Sequence, residues 1–225
     1  MSAITVDTFG SLLTDLAEKL GETTQNTENN RKRKLNSAYF YIANKDLWWW
    51  TEGSDTDTTT TALSYTLPTD FRAYHPKNPL KVGDDWRILV PFKDLQLWDG
   101  TNTVVSLSQL KSKKRAYIYG GKVYFIQSTM TADQTITHYY YKRITTLDET
   151  TDEPLMPVEY REMISLYAAG MYLKAQGGKE SVEGNDYLEL FDSYLNDMNQ
   201  EQQFKREFGI KRRALDPEEA NIFES

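Results

Sequence analysis

The sequence predicts an α+β fold: a four-helix bundle interrupted by a long antiparallel β insertion and followed by an extended C-terminal tail. Apolar residues recur at helical spacing in four segments, two towards each end of the chain. The stretch between them is rich in threonine, β-branched and aromatic residues, a composition typical of strands. The final segment holds too few apolar side chains to bury a surface of its own.

These observations divide the chain into four predicted parts. Residues 1–47 and 154–204 form the two helical pairs of the bundle, residues 48–153 form the β insertion, and residues 205–225 form the C-terminal extension. Each helix has a single apolar stripe, which another element has to cover. We therefore expect the two pairs to pack together although the insertion separates them in sequence.

The first helical pair is predicted from two apolar stripes. The first helix covers roughly residues 6–20 and is expected to end at Gly21 in a left-handed conformation. Its stripe consists of Phe9, Leu12, Leu13, Leu16 and Leu20, and that of the second helix consists of Leu35, Ala38, Tyr39, Ile42 and Leu47. Four cations, residues 31–34, lie near the start of the second helix, where they oppose its dipole. A solvated face and a functional surface are both open interpretations of this basic run.

The β insertion is predicted to hold about five to seven short antiparallel strands. The polar, threonine-rich residues 54–61 open the region, and the clearest strands lie at 63–67, 86–90, 115–119, 122–127 and 135–143. A Gly-Gly pair, residues 120–121, separates two of these strands. Because both central residues of a type I′ turn need positive φ, the pair predicts a tight hairpin.

The second helical pair begins after Pro157, where the apolar spacing returns to the helical period. The third helix is expected to end at the glycine pair 177–178. The fourth is predicted to begin after a cap at Asn185 or Asp186. Its periodicity decays beyond Phe204, where the C-terminal extension is expected to start.

Composition excludes several classes of function. The net charge is −7, with 26 Lys and Arg against 33 Asp and Glu, which disfavours sequence-independent DNA binding by the whole surface. The absence of cysteine excludes disulfides, thiolate nucleophiles and cysteine-ligated metals. The sequence lacks an apolar run of the roughly 18 residues needed to span a bilayer, and no basic segment precedes an apolar stretch at its start. We expect no membrane association and a protein that is made in the cytosol and kept there or released from it by lysis.

Residues that could carry catalysis are few. The chain has two histidines, His75 and His138, and no nucleophile, zinc or nucleotide-binding motif accompanies them. Two acidic pairs, at 84–85 and 152–153, could act as general acid and base, but Gly83 precedes the first pair and Pro154 follows the second. Turn formation accounts for both pairs. We expect no enzyme activity, no cofactor and no metal; a glycosidase is the alternative enzyme hypothesis.

Aromatic residues are unusually frequent, with 15 tyrosines and five tryptophans. Three tryptophans form the run 48–50, and Trp86 and Trp98 lie in the β insertion. Such residues could stack on sugars, and the cations at 111, 113, 114 and 115 beside Tyr117 and Tyr119 could support base stacking. Packing inside the fold or in a subunit interface is the other interpretation. A carbohydrate-binding module that uses the Trp-rich β region is therefore the alternative function.

The order of segments resembles the head-to-tail adaptor proteins of tailed bacteriophages. After an N-terminal helix come Leu35-Asn36-Ser37-Ala38, then Trp48 and Trp50, then Leu67-Pro68-Thr69-Asp70-Phe71. The β insertion closes with Thr137-His138-Tyr139-Tyr140-Tyr141 and the acidic Asp152-Glu153-Pro154, followed by two amphipathic helices. The resemblance extends over roughly residues 5–200 and depends on the order of these loose motifs.

This resemblance implies a structural protein of the virion without turnover. Adaptors of this kind form a ring, usually of twelve subunits, that binds beneath the portal protein at the head-tail junction. The ring surrounds the channel through which the packaged DNA passes without sequence-specific contacts, and it offers a docking surface to a tail or nozzle protein. The C-terminal extension is then expected to reach the portal.

The composition of the extension predicts how it would bind. It alternates a basic triplet, an acidic run and isolated apolar residues, which suits a segment that orders on contact with its partner. Aromatic and basic side chains dominate binding hot spots. The predicted portal-binding residues are Phe208, Ile210, Lys211, Arg212, Arg213 and Phe223.

Overall fold

The computed structural model describes residues 7–21, 27–91, 114–127 and 129–208. The chain divides into two compact units, a helical unit made of residues 1–50 with 145–225, and a β unit made of residues 51–144. The described residues form four α-helices and eight β-strands. The predicted α+β class is therefore confirmed, and the arrangement of the four helices as one bundle stays a prediction.

The helical unit is organised around its third helix. Its helices are α1 (Phe9–Leu20), α2 (Glu28–Lys45), α3 (Glu162–Gln176) and α4 (Gly178–Phe208). Helix α3 packs against each of the other three, and α1 also packs against α2. The predicted stripes of α1 and α2 supply the buried side chains, with Phe9, Leu12, Leu16, Leu35 and Ile42 fully enclosed. Burial of these stripes is what stabilises the short helix α1, since isolated helices of this length are marginal in water.

Local contacts fix the start of α1. Thr8 caps the helix by accepting a hydrogen bond from the backbone N–H of Ser11, and Ser11 Oγ accepts one from the N–H of Thr8. The free N–H groups of Phe9 and Gly10 donate to the carbonyl oxygens of Asp152 and Thr150, at 2.7 and 2.9 Å. The helix thus begins at Phe9, three residues later than predicted, because the backbone N–H groups of its first turn find hydrogen-bond acceptors there.

The predicted cap of α4 at Asn185 or Asp186 is wrong. The helix begins at Gly178, directly after Gly177, and these two glycines reverse the chain with φ of +62° and +77°. It also continues to Phe208, beyond the point where the sequence periodicity decays. Gly184, which weakens the helical pattern, lies inside the helix, and a Cβ there would meet the backbone N of Lys174 in α3 at 2.6 Å. A close helix-helix approach therefore explains a residue that reads as a helix breaker.

The β unit is a curled sheet around its own core. Its strands are β1 (Glu52–Thr58), β2 (Ser64–Thr66), β3 (Phe71–Tyr74), β4 (Leu80–Val82), β5 (Asp85–Leu89), β6 (Arg115–Tyr119), β7 (Lys122–Ile126) and β8 (Thr135–Lys142). The order across the sheet is β1-β8-β4-β5-β6-β7-β2, and β3 also pairs with β8. Its core includes Leu80, Val123, Phe125, Ile136 and Tyr140.

One strand pair departs from the predicted antiparallel arrangement. Strands β5 and β6 run parallel, with Ile88 opposite Arg115 and Leu89 opposite Ala116. A tight turn can join only antiparallel neighbours, whereas the connection over residues 90–114 is long enough for a crossover between parallel strands. The other pairs are antiparallel.

The hairpin prediction is confirmed. Strands β6 and β7 pair antiparallel with Tyr119 opposite Lys122, so Gly120 and Gly121 are the two turn residues. Their φ angles are +58° and +74°, the sign that a type I′ turn requires at both positions. The polar stretch at 54–61, by contrast, gave no strand pattern, yet most of it lies in β1, which pairs with β8 over seven residues.

Candidate functional site

The two histidines have separate structural roles. His138 is buried in β8, and its Nδ1 lies 2.7 Å from the hydroxyl of Tyr74. Burial lowers the pKa of His138 and outweighs the opposing effect of the nearby Asp55 and Asp57. His75 stacks on Tyr141 and lies 3.9 Å from the carboxylate of Glu52. This arrangement agrees with the interpretation of both as packing or surface residues.

One carboxylate of each acidic pair has structural partners, and Asp85 begins strand β5. Asp85 pairs with Lys114, and this hydrogen bond lowers the pKa of the Asp85 carboxyl. Asp152 accepts hydrogen bonds from the backbone N–H groups of Asp148 and Glu149, at 2.7 and 2.9 Å, which lower its pKa as well. A general acid needs a raised pKa, whereas the pKa of each of these two carboxyl groups is lowered.

The β unit contains a cavity whose lining is partly aromatic. It has a volume of about 340 Å³ and is lined by residues 74–79 and 86–89, with Trp86 as its largest aromatic side chain. Within the described ranges, no three His, Asp or Glu side chains come together as a metal site. In the same part of the chain, no helix is both long enough and apolar enough to cross a membrane.

The tryptophan run packs within the helical unit. Trp48 is fully buried, donates through its indole N–H to the carbonyl of Ile42 at 2.8 Å, and stacks on Trp50. Trp49 receives the Lys205 ammonium over its ring at 4.1 Å, and its backbone N–H donates to the side chain of Gln202 at 2.9 Å. Trp49 therefore fastens the end of α2 to α4, and the fully buried Trp48 has no surface on which a sugar could stack.

The basic run at the start of α2 also has structural partners. Lys32 donates to the carbonyl of Asp148 at 3.0 Å, and Lys34 lies over the ring of Tyr172 at 3.6 Å. Burial, with a contribution from Arg31, lowers the pKa of Lys34. Between these cations and the core, Asn36 donates to and accepts from the backbone of Leu147, each at 2.9 Å. The run therefore anchors α2 to the segment after the β unit and to α3.

The predicted portal-binding residues lie almost wholly outside the described part of the chain. Phe208 is the last residue of α4, and nothing is described of its side chain. The other five, Ile210, Lys211, Arg212, Arg213 and Phe223, lie beyond the described residues. Their role stays a prediction.

The outward side of β4–β7 forms a surface that the sequence did not reveal, which we call the basic aromatic face. Residues directly opposite one another in a sheet share a side, and successive residues alternate. The register and the buried neighbours Arg87, Ala116, Val123 and Phe125 place the outward set as Lys81, Trp86, Ile88, Arg115, Tyr117, Tyr119, Lys122, Tyr124 and Ile126. Trp86 is 43 %, Ile88 58 % and Tyr119 56 % exposed. None of the outward positions on these four strands carries a carboxylate.

Helix α4 carries a second exposed surface, which we call the acidic helix face. Phe191, Leu195 and Met198 form the buried side of the helix. On the opposite side, at about 100° per residue, lies a narrow stripe of exposed residues. Its charged and apolar residues are Lys179, Val182, Asp186, Glu189, Leu190, Asp197 and Phe204. Val182 is 63 % and Leu190 52 % exposed, so this face also combines apolar side chains with charge, in this case three carboxylates and one cation.

Charge is divided unevenly along the chain. Residues 51–144 contain 12 Lys and Arg and 9 Asp and Glu, a net charge of +3. The remaining residues contain 14 Lys and Arg and 24 Asp and Glu, a net charge of −10. The sequence does contain a signal for these faces: the net charges of the two parts of the chain, together with the alternation of side chains along the strands.

The sequence matches the model of a known protein family. The family model described as SU10 adaptor protein matches residues 7–213, which include all the described elements of both units. No curated protein matches the chain.

Proposed function

The chain belongs to the SU10 adaptor protein family, and on this basis we propose that it joins the head and the tail of a tailed phage as a structural component of the virion. The observation that carries this proposal is the family match over residues 7–213. The membership confirms the resemblance to head-to-tail adaptors and supports a structural rather than an enzymatic role. The structure agrees, since its acidic pairs and histidines have structural partners.

The proposed assembly is a ring of twelve copies beneath the portal protein. A closed ring is built from one heterologous contact repeated between neighbours, so each subunit must offer two different faces. Two units of opposite net charge, +3 and −10, supply such different surfaces. The ring would surround the DNA channel, and its overall negative charge favours passage of DNA without binding.

The C-terminal extension is the proposed link to the portal, with Phe208, Ile210 and Phe223 as anchors and residues 211–213 as the basic part. The side of the ring away from the portal would receive the tail or nozzle protein. Because α4 ends at Phe208, residues 209–225 can be removed without shortening a described helix.

Deletion of residues 209–225 tests the portal contact. We expect the truncated protein to keep its far-UV circular dichroism and its melting temperature, and to lose co-sedimentation with purified portal rings. Electron microscopy of the full chain mixed with portal should show a second cyclic tier, and its rotational symmetry gives the number of copies. A full-length variant with residues 209–225 in scrambled order is the matched control and should also fail to bind. If the truncated protein binds the portal as well as the full chain does, the extension is not the link to the portal.

A further inference from the structure

We propose that neighbouring subunits of the ring meet through the basic aromatic face of one copy and the acidic helix face of the next. This inference rests on the proposed function, because it names the two surfaces that a heterologous ring contact requires. Each face combines exposed apolar side chains with charge: the basic aromatic face carries three cations, and the acidic helix face carries three carboxylates and one cation, Lys179, so the excess charges are opposite.

The basic aromatic face has the properties of a protein interface. Trp86 and Ile88 expose about half of their surfaces two residues apart on the same side of β5, and the equally exposed Tyr119 lies on that side of β6, four residues beyond Arg115, which is opposite Ile88. Contiguous exposed apolar surface of this kind marks interaction sites, and Trp, Tyr and Arg are enriched in them. Arg115, opposite Ile88 in the register, adds a cation on the same side of the sheet, where a carboxylate of another subunit could pair with it.

The acidic helix face offers the complementary chemistry. Val182 and Leu190 project from the side of α4 that faces away from Phe191 and Leu195. Asp186, Glu189 and Asp197 flank them, and none of these three carboxylates lies within 4.0 Å of a cation in the described residues. Three cations on one face, at Lys81, Arg115 and Lys122, thus match three carboxylates on the other.

A second copy fits the basic aromatic face better than a nucleic acid does. Phosphate backbones are bound by many cations, whereas this face holds three, and Lys81 already pairs with Asp84 at 3.3 Å. Ile88, the most exposed apolar side chain of the face, offers no stacking surface for a base. The acidic helix face carries the opposite charge, and every copy of the chain has this face.

Single-cysteine variants test the contact directly, because the natural chain has no cysteine. We mix Tyr119→Cys with Leu190→Cys, each carrying a different tag, and treat the free protein and the portal-bound protein with a short bis-maleimide. We expect crosslinked dimers that contain one chain of each variant. The matched control mixes Ala132→Cys, at an exposed loop position of the β unit, with Leu190→Cys and should give no more than background. Equal yields in the two mixtures would overturn the proposal.

Charge reversal gives an independent test. Arg115→Glu with Lys122→Glu, or Asp186→Lys with Glu189→Lys, should each raise the concentration for half-assembly about tenfold or more. Mixing the two reversed proteins should restore assembly between unlike chains. The control Lys77→Glu reverses an exposed charge elsewhere in the β unit and should leave assembly unchanged. Melting temperatures check that each variant folds.

The outcomes separate this proposal from the proposed function. A cyclic tier on the portal that persists in both charge-reversed variants, without the unlike crosslink, overturns the interface and leaves the adaptor role intact. Loss of portal binding by the natural chain overturns the adaptor role, while the crosslink in the free protein still decides the interface. DNA binding that disappears in Arg115→Glu with Lys122→Glu, with unchanged assembly, assigns the face to nucleic acid and overturns the proposal.

Discussion

Close contact between α3 and α4 restricts which residues the two helices can have where they cross. At the crossing of α3 and α4, Gly170 and Gly184 face each other's backbone. A Cβ at Gly184 would lie 2.6 Å from the backbone N of Lys174 and 2.9 Å from the carbonyl oxygen of Gly170. Backbone atoms cannot rotate away as the end of a side chain can, so position 184 requires glycine, whereas a Cβ at Gly170 would first meet the side chain of Leu188 at 2.7 Å.

Replacement of Gly184 by alanine should therefore destabilise the protein. The overpacked crossing costs about 1–3 kcal/mol, more than the helix propensity that alanine gains. Thermal unfolding followed by circular dichroism measures the change. Asn185→Ala, at the next and exposed position of α4, is the matched control and should be neutral or slightly stabilising. A Gly184→Ala protein at least as stable as the natural chain would contradict the close approach.

The buried His138 should make stability depend on pH. It is 1 % exposed, and burial holds its folded pKa below the ordinary value of 6.5. The unfolded chain therefore binds the proton more readily, so the free energy of unfolding should fall as the pH drops below 6.5 and stop falling below the folded pKa. The slope is at most about 1.4 kcal/mol per pH unit for one group.

Urea unfolding between about pH 5 and pH 8 measures this dependence in a range where most carboxylates stay ionised. The variant His138→Phe cannot titrate at this position and should lose that part of the slope. His75→Phe, which removes the other, half-exposed histidine, is the control and should keep it. An unchanged slope in His138→Phe would show that other groups cause the dependence.

Among the elements, the β6–β7 hairpin depends on its two-residue turn. Gly120 and Gly121 both have positive φ, and a Cβ at either would meet no neighbour within 4 Å. Any effect of substitution there thus comes from backbone conformation and not from crowding. The hairpin also carries Tyr117, Tyr119 and Lys122 of the basic aromatic face.

Gly120→Ala with Gly121→Ala should destabilise the hairpin by about 1–2 kcal/mol per residue, because L-residues resist the left-handed region. Gly120→Asn should be nearly neutral, since Asn-Gly is a favoured type I′ pair. Urea unfolding compares the free energies of unfolding. Equal stability of the alanine and asparagine variants would contradict a turn that requires positive φ.

Strand β1 shows what limits prediction at the level of elements. Its sequence is polar and its residues are almost all exposed, so alternation gives no signal. It is a strand because β8 offers a complete row of backbone partners from Thr135 to Tyr141. Strand β7 and β8 as far as Tyr140, by contrast, alternate between buried and more exposed residues, and β6, β7 and β8 were predicted within one residue of their bounds.

For the whole molecule, the distribution of charge between the β unit and the rest of the chain bears most on assembly. A net charge of +3 on residues 51–144 against −10 elsewhere allows identical copies to attract one another through unlike surfaces. The net charge of the whole chain, −7, does not show this difference between its two parts. The family membership and the two exposed faces lead to the same conclusion, a protein that works through contacts.

Assembly should accordingly weaken as the salt concentration rises. Exposed charges are screened over about 10 Å at 0.1 M and about 3 Å at 1 M ionic strength. We expect the concentration for half-assembly to increase with sodium chloride in analytical ultracentrifugation. The charge-reversed pair Arg115→Glu with Lys122→Glu should show a smaller dependence. Assembly that strengthens steadily with salt would indicate a contact dominated by apolar burial.

The sequence by itself determined the α+β class, the helices α1 to α3 and the β6–β7 hairpin, because these follow from local periodicity and from glycine's freedom of φ. It also carried the order of motifs that resembles the adaptors. Only the tertiary structure decided where α4 begins, why β1 is a strand, and which side chains share the basic aromatic face. Those features depend on contacts between residues far apart in sequence, such as Gly184 with Lys174 or β5 with β6, and local patterns contain no information about them.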